Sequence, residues 1–124
     1  MTARRSYPEH HEQALVIQWA IFHEAKYPEL RLLFAIPNGA KLTPRAGKWY
    51  KDEGRKPGVP DLCLPVARLG YHGLFIEMKA PGATTTRTQR DYLDALLRAD
   101  YSVAVCHSAE AAQGVLLHYL GGSD

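Results

Sequence analysis

The 124-residue sequence predicts an α/β fold with a central mixed β-sheet flanked by helices. Three observations predict it. Helix-forming and strand-forming segments alternate in the order α-β-α-β-β-α-β-α. The apolar runs Leu62 to Val66 and Gly73 to Lys79 are separated by only a short turn around Leu69 to His72, which suits an antiparallel pair. The run Ser102 to Cys106 reads as a further strand, followed by a last helix.

Each element has its own signal. Glu9 to Lys26 has helix-forming composition and ends at the breaker Pro28. Leu15, Trp19 and Phe22 form one stripe at helical spacing, and Glu12 projects between Val16 and Trp19 on the apolar side. That position favours a directed role over a first-turn complement to the helix dipole, with Glu9 one turn earlier as the substitute. Ala14, Ile17 and Ile21 make a second apolar side, which suits either a self-association face or a second core layer. Leu32 to Ile36 reads as a short strand closed by the turn Pro37-Asn38-Gly39. A short basic helix follows, with Thr43 as N-cap, Pro44 at its first position and Gly54 as its stop. Thr84 to Thr88 offers several caps for a helix running to about Arg98, and Ser108 caps a last helix to about Leu120.

Composition narrows the class. Apolar residues make up 46% and charged residues 23%, as in soluble globular domains, so neither a disordered nor a fibrous chain is predicted. The length suits one domain over residues 1–124, with residues 1–8 and 121–124 the loose ends. No run approaches the ~20 apolar residues of a membrane span and no signal segment opens the chain, so a cytoplasmic setting without membrane partners is expected. Cys63 and Cys106 sit in apolar runs and are expected as buried thiols. The six histidines lack zinc-ligand spacing.

Charge is mildly basic, with a net +2, but unevenly placed. Lys41, Arg45, Lys48, Lys51, Arg55 and Lys56 are opposed locally by only Asp52 and Glu53. With Trp49 and Tyr50 among them, they form a candidate DNA-binding segment. Asn38, at the preceding turn, serves equally as a turn residue or as a DNA contact.

The most informative stretch is GVPDLCLPVARLGYHGLFIEMK, residues 58–79. Strand alternation turns Leu74, Ile76 and Met78 to one face and Glu77 and Lys79 to the other. If the two strands pair near that end, Asp61 meets Glu77 at about 5 Å across the ladder. Two carboxylates that close resist joint ionisation unless a cation lies between them. Hard carboxylate oxygens suit Mg²⁺ or Mn²⁺, and an adjacent lysine suits the charge of a phosphoryl transition state; the pattern points to phosphodiester hydrolysis. Gln89 shares a face with Leu93 and Leu96, so its amide is directed inward.

Taken together, Glu12 on the first helix, the run EGRKPGVPDL, Glu77-Met78-Lys79, Thr88-Gln89 opening a helix, and Pro37-Asn38-Gly39 closely resemble the VRR-NUC domain of the PD-(D/E)XK nuclease superfamily. The resemblance covers roughly residues 9–107. It implies a restriction-endonuclease-like core and a stand-alone DNA endonuclease of the kind found in phages and bacteria. It further implies Asp61 and Glu77, with Glu12 and Met78, as ligands of Mg²⁺ or Mn²⁺, and no small-molecule cofactor. Lys79 is then the catalytic lysine, acting with Asp61, Glu77 and Gln89. A homodimer and branched substrates such as four-way junctions are also implied. The Val-Arg-Arg triplet that names the family has no literal copy; Ser102-Val103-Ala104-Val105 stands in its place. A non-cleaving DNA-binding module on the same fold is the alternative, and metal-dependent turnover discriminates the two.

Overall fold

A computed structural model describes residues 7–37 and 44–122. Helix α1 spans Tyr7–Phe22, a 3-10 helix spans Pro28–Leu32, and strand β1 is Phe34–Ala35. Helix α2 follows at Pro44–Asp52, then β2 at Leu62–Leu64, β3 at Leu74–Met78, α3 at Arg87–Arg98, β4 at Ser102–Cys106 and α4 at Ala109–Tyr119. The four strands form one sheet in the order β1-β2-β3-β4. The first two pairings are antiparallel, whereas β3 and β4 run parallel because α3 crosses over between them. The predicted mixed α/β architecture is the one observed.

The alternation of β3 sorts its residues as expected. Leu74, Ile76 and Met78 join Leu62 and Leu64 in a core closed by Val16 and Ala20 of α1 and by Ala112 and Leu116 of α4. Each fully buried Leu or Ile contributes about 1.5–3 kcal/mol, enough in sum for this cluster to offset the burial of a few polar groups at its edge. Small residues on α1 and α4 let the two helices pack closely over the sheet. On the other face, Phe75 meets Tyr101 edge-on at 5.5 Å between ring centroids.

Two elements depart from their predicted form. Pro28 does not merely end a helix; with its fixed φ it opens the 3-10 turn Pro28–Leu32, anchored by buried Leu30, and this shortens the following strand to two residues. The apolar stripe of α1 is also rotated. Val16 and Ala20 face the core, Leu15 and Trp19 pack at its margin, and Phe22 is 87% exposed at the helix end. On the second side of α1, Ile17 packs against the core while Ile21 is exposed. Among the described residues, no helix is long and apolar enough to cross a membrane.

Candidate active site

The loop entering β2 is held against α3 by a glycine. Gly58 has φ +83°, and a side-chain Cβ there would lie 2.7 Å from the Thr88 carbonyl oxygen. Only glycine tolerates both the backbone conformation and the approach. The first turn of α3 is itself fixed by a capping box: Thr86 Oγ1 accepts from Gln89 N at 3.2 Å, and Gln89 Oε1 accepts from Thr86 N at 2.9 Å. Asp61 and Gln89, distant in sequence, are thereby brought to one corner.

Asp61 immediately precedes β2 and is 5% exposed. Its backbone N–H donates to Ile76 O, and its carbonyl accepts from Ile36 N at 2.8 Å. Its side-chain Oδ2 accepts from Met78 N at 2.8 Å. The register pairs Leu62 with Ile76 at the end of the ladder, which leaves Asp61 near enough to Glu77 for its charge to act on that carboxyl. Glu77 is 3% exposed. Its Oε2 accepts from Gln89 Nε2 at 3.2 Å and lies 3.8 Å from Lys79 Nζ, itself on a side chain only 11% exposed.

These surroundings push the Glu77 carboxyl up from 4.5 to about 8. Loss of hydration is the largest cause, followed by the negative charge of Asp61; the Lys79 ammonium opposes both without prevailing, and Glu9 adds a smaller upward push. Glu77 Oε1 is buried with no N–H or O–H donor among the described residues, and the carboxyl's hydrogen bond with the Asp61 side chain lasts only while a proton stays between the two. A buried acceptor left unpaired beside a second carboxylate is unfavourable for the protein alone and favourable for a cation.

The donor set fits a hard divalent ion. Among the described residues, no group of three or more His, Cys, Asp and Glu side chains is positioned to hold a metal by itself. Asp61 and Glu77 instead form a pair, and Mg²⁺ or Mn²⁺ characteristically takes one or two carboxylates and completes its shell with other oxygens and water. Met78 can contribute only through its backbone, because its side chain is fully buried in the core. The N–H and C=O of a strand residue project to the same side, so the carbonyl of Met78 is directed toward the Asp61 side, as its N–H is.

Glu12 occupies a different place from the one expected. Its Oε1 accepts from Ala109 N at 2.7 Å, satisfying a free N–H at the first turn of α4, where a carboxylate complements the helix dipole. The carboxylate of α1 whose charge reaches Glu77 is Glu9, one turn earlier. Both acids lie on that helix in the sequence, but nothing local marks Glu12 as a cap for a helix 97 residues away.

Of the candidate DNA contacts, Asn38 and Lys41 lie outside the described residues. The others are on or beside α2, which buries none of its residues. Lys48 Nζ pairs with Asp52 at 2.8 Å. Arg45 lies over the Trp49 ring, 5.4 Å from its centroid, and Arg55 lies over Tyr50 at 4.3 Å. Lys51 and Lys56 are exposed. Cys63 and Cys106 are free and buried, and burial raises both thiols, so neither is poised for redox chemistry.

The family model described as VRR-NUC domain matches residues 2–110. A solved structure of a protein described as a VRR_NUC domain protein is similar with a TM-score of 0.78 and 27% identity, covering 97% of this chain and 93% of that one. No curated protein matches the chain.

Proposed function

Since the chain belongs to the VRR-NUC family, whose domains are of nuclease type, we propose that it is a divalent-metal-dependent DNA endonuclease selective for branched DNA, four-way junctions included. The observation that carries this reading is the corner formed by buried Asp61 and Glu77 with half-buried Lys79 beside them, one Glu77 oxygen having no N–H or O–H donor. A purely structural corner would have no reason to retain two opposed carboxylates at the edge of an otherwise apolar cluster.

Asp61, Glu77 and the Met78 carbonyl would hold Mg²⁺ or Mn²⁺. When bound, the ion supplies Lewis-acid stabilisation of charge on the phosphoryl oxygens. Gln89 holds the Glu77 carboxylate in orientation through Oε2, and its own amide is fixed by the α3 capping box. Lys79 sits where its ammonium can hydrogen-bond the attacking water and offset negative charge on the pentacovalent phosphate. The water oxygen bonds to phosphorus, one ester P–O bond breaks, and the products are an alcohol and a phosphate monoester.

One such site cuts one strand, so paired incisions on a junction need two copies of the chain. Ile21 and Phe22, exposed at the end of α1, are the apolar residues we assign to a homodimer contact. Sedimentation of Ile21→Glu/Phe22→Glu should then give a folded monomer that still nicks. The function itself is tested by incubating the protein with single-stranded, duplex, flap, splayed and four-way DNA in Mg²⁺, Mn²⁺ or EDTA. Divalent-dependent cutting that favours branched forms is expected, and no cutting of any DNA with either ion would overturn the proposal.

A further inference from the structure

Helix α2 is an unusual element for so small a fold, because it combines basic side chains with large aromatic rings and buries none of its residues. Trp49 is 59% and Tyr50 40% exposed. An exposed tryptophan normally lowers solubility without helping packing, so its placement on a solvated helix needs a reason. The cations beside the rings supply one. Arg45 covers the Trp49 ring and Arg55 covers the Tyr50 ring, so each ring carries a guanidinium, while Lys51 and Lys56 add positive charge nearby. A half-exposed ring with a guanidinium over one face combines a stacking surface with positive charge, which matches a nucleobase attached to phosphates, whereas an apolar protein partner would have no use for the charge.

The rings are also linked to the acid corner. Arg55 donates from Nε to the carbonyl of Pro37 at 3.0 Å. The neighbouring Ile36 N–H donates to the carbonyl of Asp61 at 2.8 Å. The platform is thus joined to the strand end that carries Asp61 by two hydrogen bonds and one peptide unit, with Arg55 at the platform end and Ile36 at the Asp61 end.

We infer that Trp49 and Tyr50 stack on unpaired bases at a branch or strand end, making α2 the element that selects DNA with exposed bases over continuous duplex. The inference deepens the nuclease reading and rests on it for the identity of the substrate. Bases inside an intact duplex are already stacked and offer α2 only their phosphates, which Lys51, Arg55 and Lys56 can contact without discrimination. Where strands part, a base has a free face and the rings gain a partner.

The test is equilibrium binding in EDTA, where no cutting occurs, with single-stranded, splayed and continuous duplex oligonucleotides as probes. Trp49→Ala and Tyr50→Ala should each bind single-stranded and splayed DNA roughly tenfold more weakly, and continuous duplex nearly as well as the wild type. Trp49→Phe should retain most of the preference and Trp49→Leu should lose it, which separates stacking from apolar bulk. Circular dichroism should show all four variants folded, because neither ring is buried. Equal losses on duplex and single strands would overturn the inference, as would undiminished binding of unpaired DNA by Trp49→Ala. A dimer that dissociates on Trp49→Ala would also overturn it, by showing that the rings meet a second copy of the chain. Wild-type cleavage in Mn²⁺ is measured in parallel. Ring-dependent binding without any cleavage would keep this inference and remove the nuclease reading, and cleavage with ring-independent binding would do the reverse.

Discussion

The acid corner and helix α2 both concentrate charge, yet they do so in opposite environments. Asp61, Glu77 and Lys79 are enclosed at the edge of the core, where every charge is felt by its neighbours and the Glu77 carboxyl is displaced to about 8. The basic residues of α2 are solvated and screened, and the Lys48–Asp52 pair there joins two exposed side chains. In the corner, chemistry and stability are therefore the same problem. On α2 they are separate, and residues can be exchanged there with little effect on folding.

The sharpest way to break this contrast is to remove one charge from the corner. Glu77→Gln should reduce cleavage below detection while leaving metal-free melting level near neutral pH, where Glu77 already holds its proton, and higher at alkaline pH, where the wild-type pair must both ionise. An active Glu77→Gln enzyme would remove the corner from the chemistry. Lys79→Ala comes next, with a loss of cleavage on the order of 10²-fold or more while Mn²⁺ still binds by calorimetry. If Mn²⁺ binding vanished with activity, Lys79 would be holding the site together instead of acting on the phosphate.

The corner also depends on its backbone. Gly58→Ala should destabilise the fold by about 1–3 kcal/mol in urea unfolding, since the residue is held at positive φ with its Cβ position against the Thr88 carbonyl. Unchanged stability would mean the loop can retreat from α3 without consequence.

Acidity offers a subtler probe. In metal-free protein, Glu77 keeps its proton in the folded chain at pH values where the unfolded chain has released it. Its contribution to stability is complete below its unfolded pKa of 4.5, declines as pH rises, and is lost as pH passes about 8. Melting temperature without metal should accordingly fall across that window, and fall less in Glu77→Gln. Equal slopes in the two proteins would contradict this displacement. The smallest effect belongs to α2. Lys48→Ala/Lys51→Ala should leave melting unchanged and reduce the slope of log K against log salt by roughly 0.9 for each duplex phosphate that the side chains no longer neutralise. An unaltered slope would place the phosphates elsewhere.

Much of this is legible in the residues themselves. Period-two alternation locates Glu77 and Lys79 on one face, and Pro60-Asp61 at a strand entrance positions the second carboxylate; both follow from local geometry. Ser108 and Thr86 work as caps for the same reason. What stays hidden depends on partners distant in sequence. Glu12 is apolar-facing by projection, but only the docking of α4 shows that it caps a helix. Spacing alone favours the bulky Phe22 in the α1 stripe, whereas close packing against α4 selects the smaller Val16 and Ala20. The brevity of β1 likewise follows from the 3-10 turn that Leu30 anchors, a tertiary effect that overrides the apolar run Leu32 to Ile36.

The bond from Glu12 to Ala109 has a consequence for the order in which the molecule comes into being. It joins the first helix to the last, and α1 rests on α4 along the same side of the sheet. Contacts that span most of a chain form late and slow its folding, since a large loop must close before they give any return. A polypeptide emerging from the ribosome can pair β2 with β3 while α1 still lacks the helix it docks on. Glu9, whose charge reaches Glu77 from α1, thus takes its position only after α4 has been made and docked, so the acid corner feels its full charge later than the sheet that carries it forms.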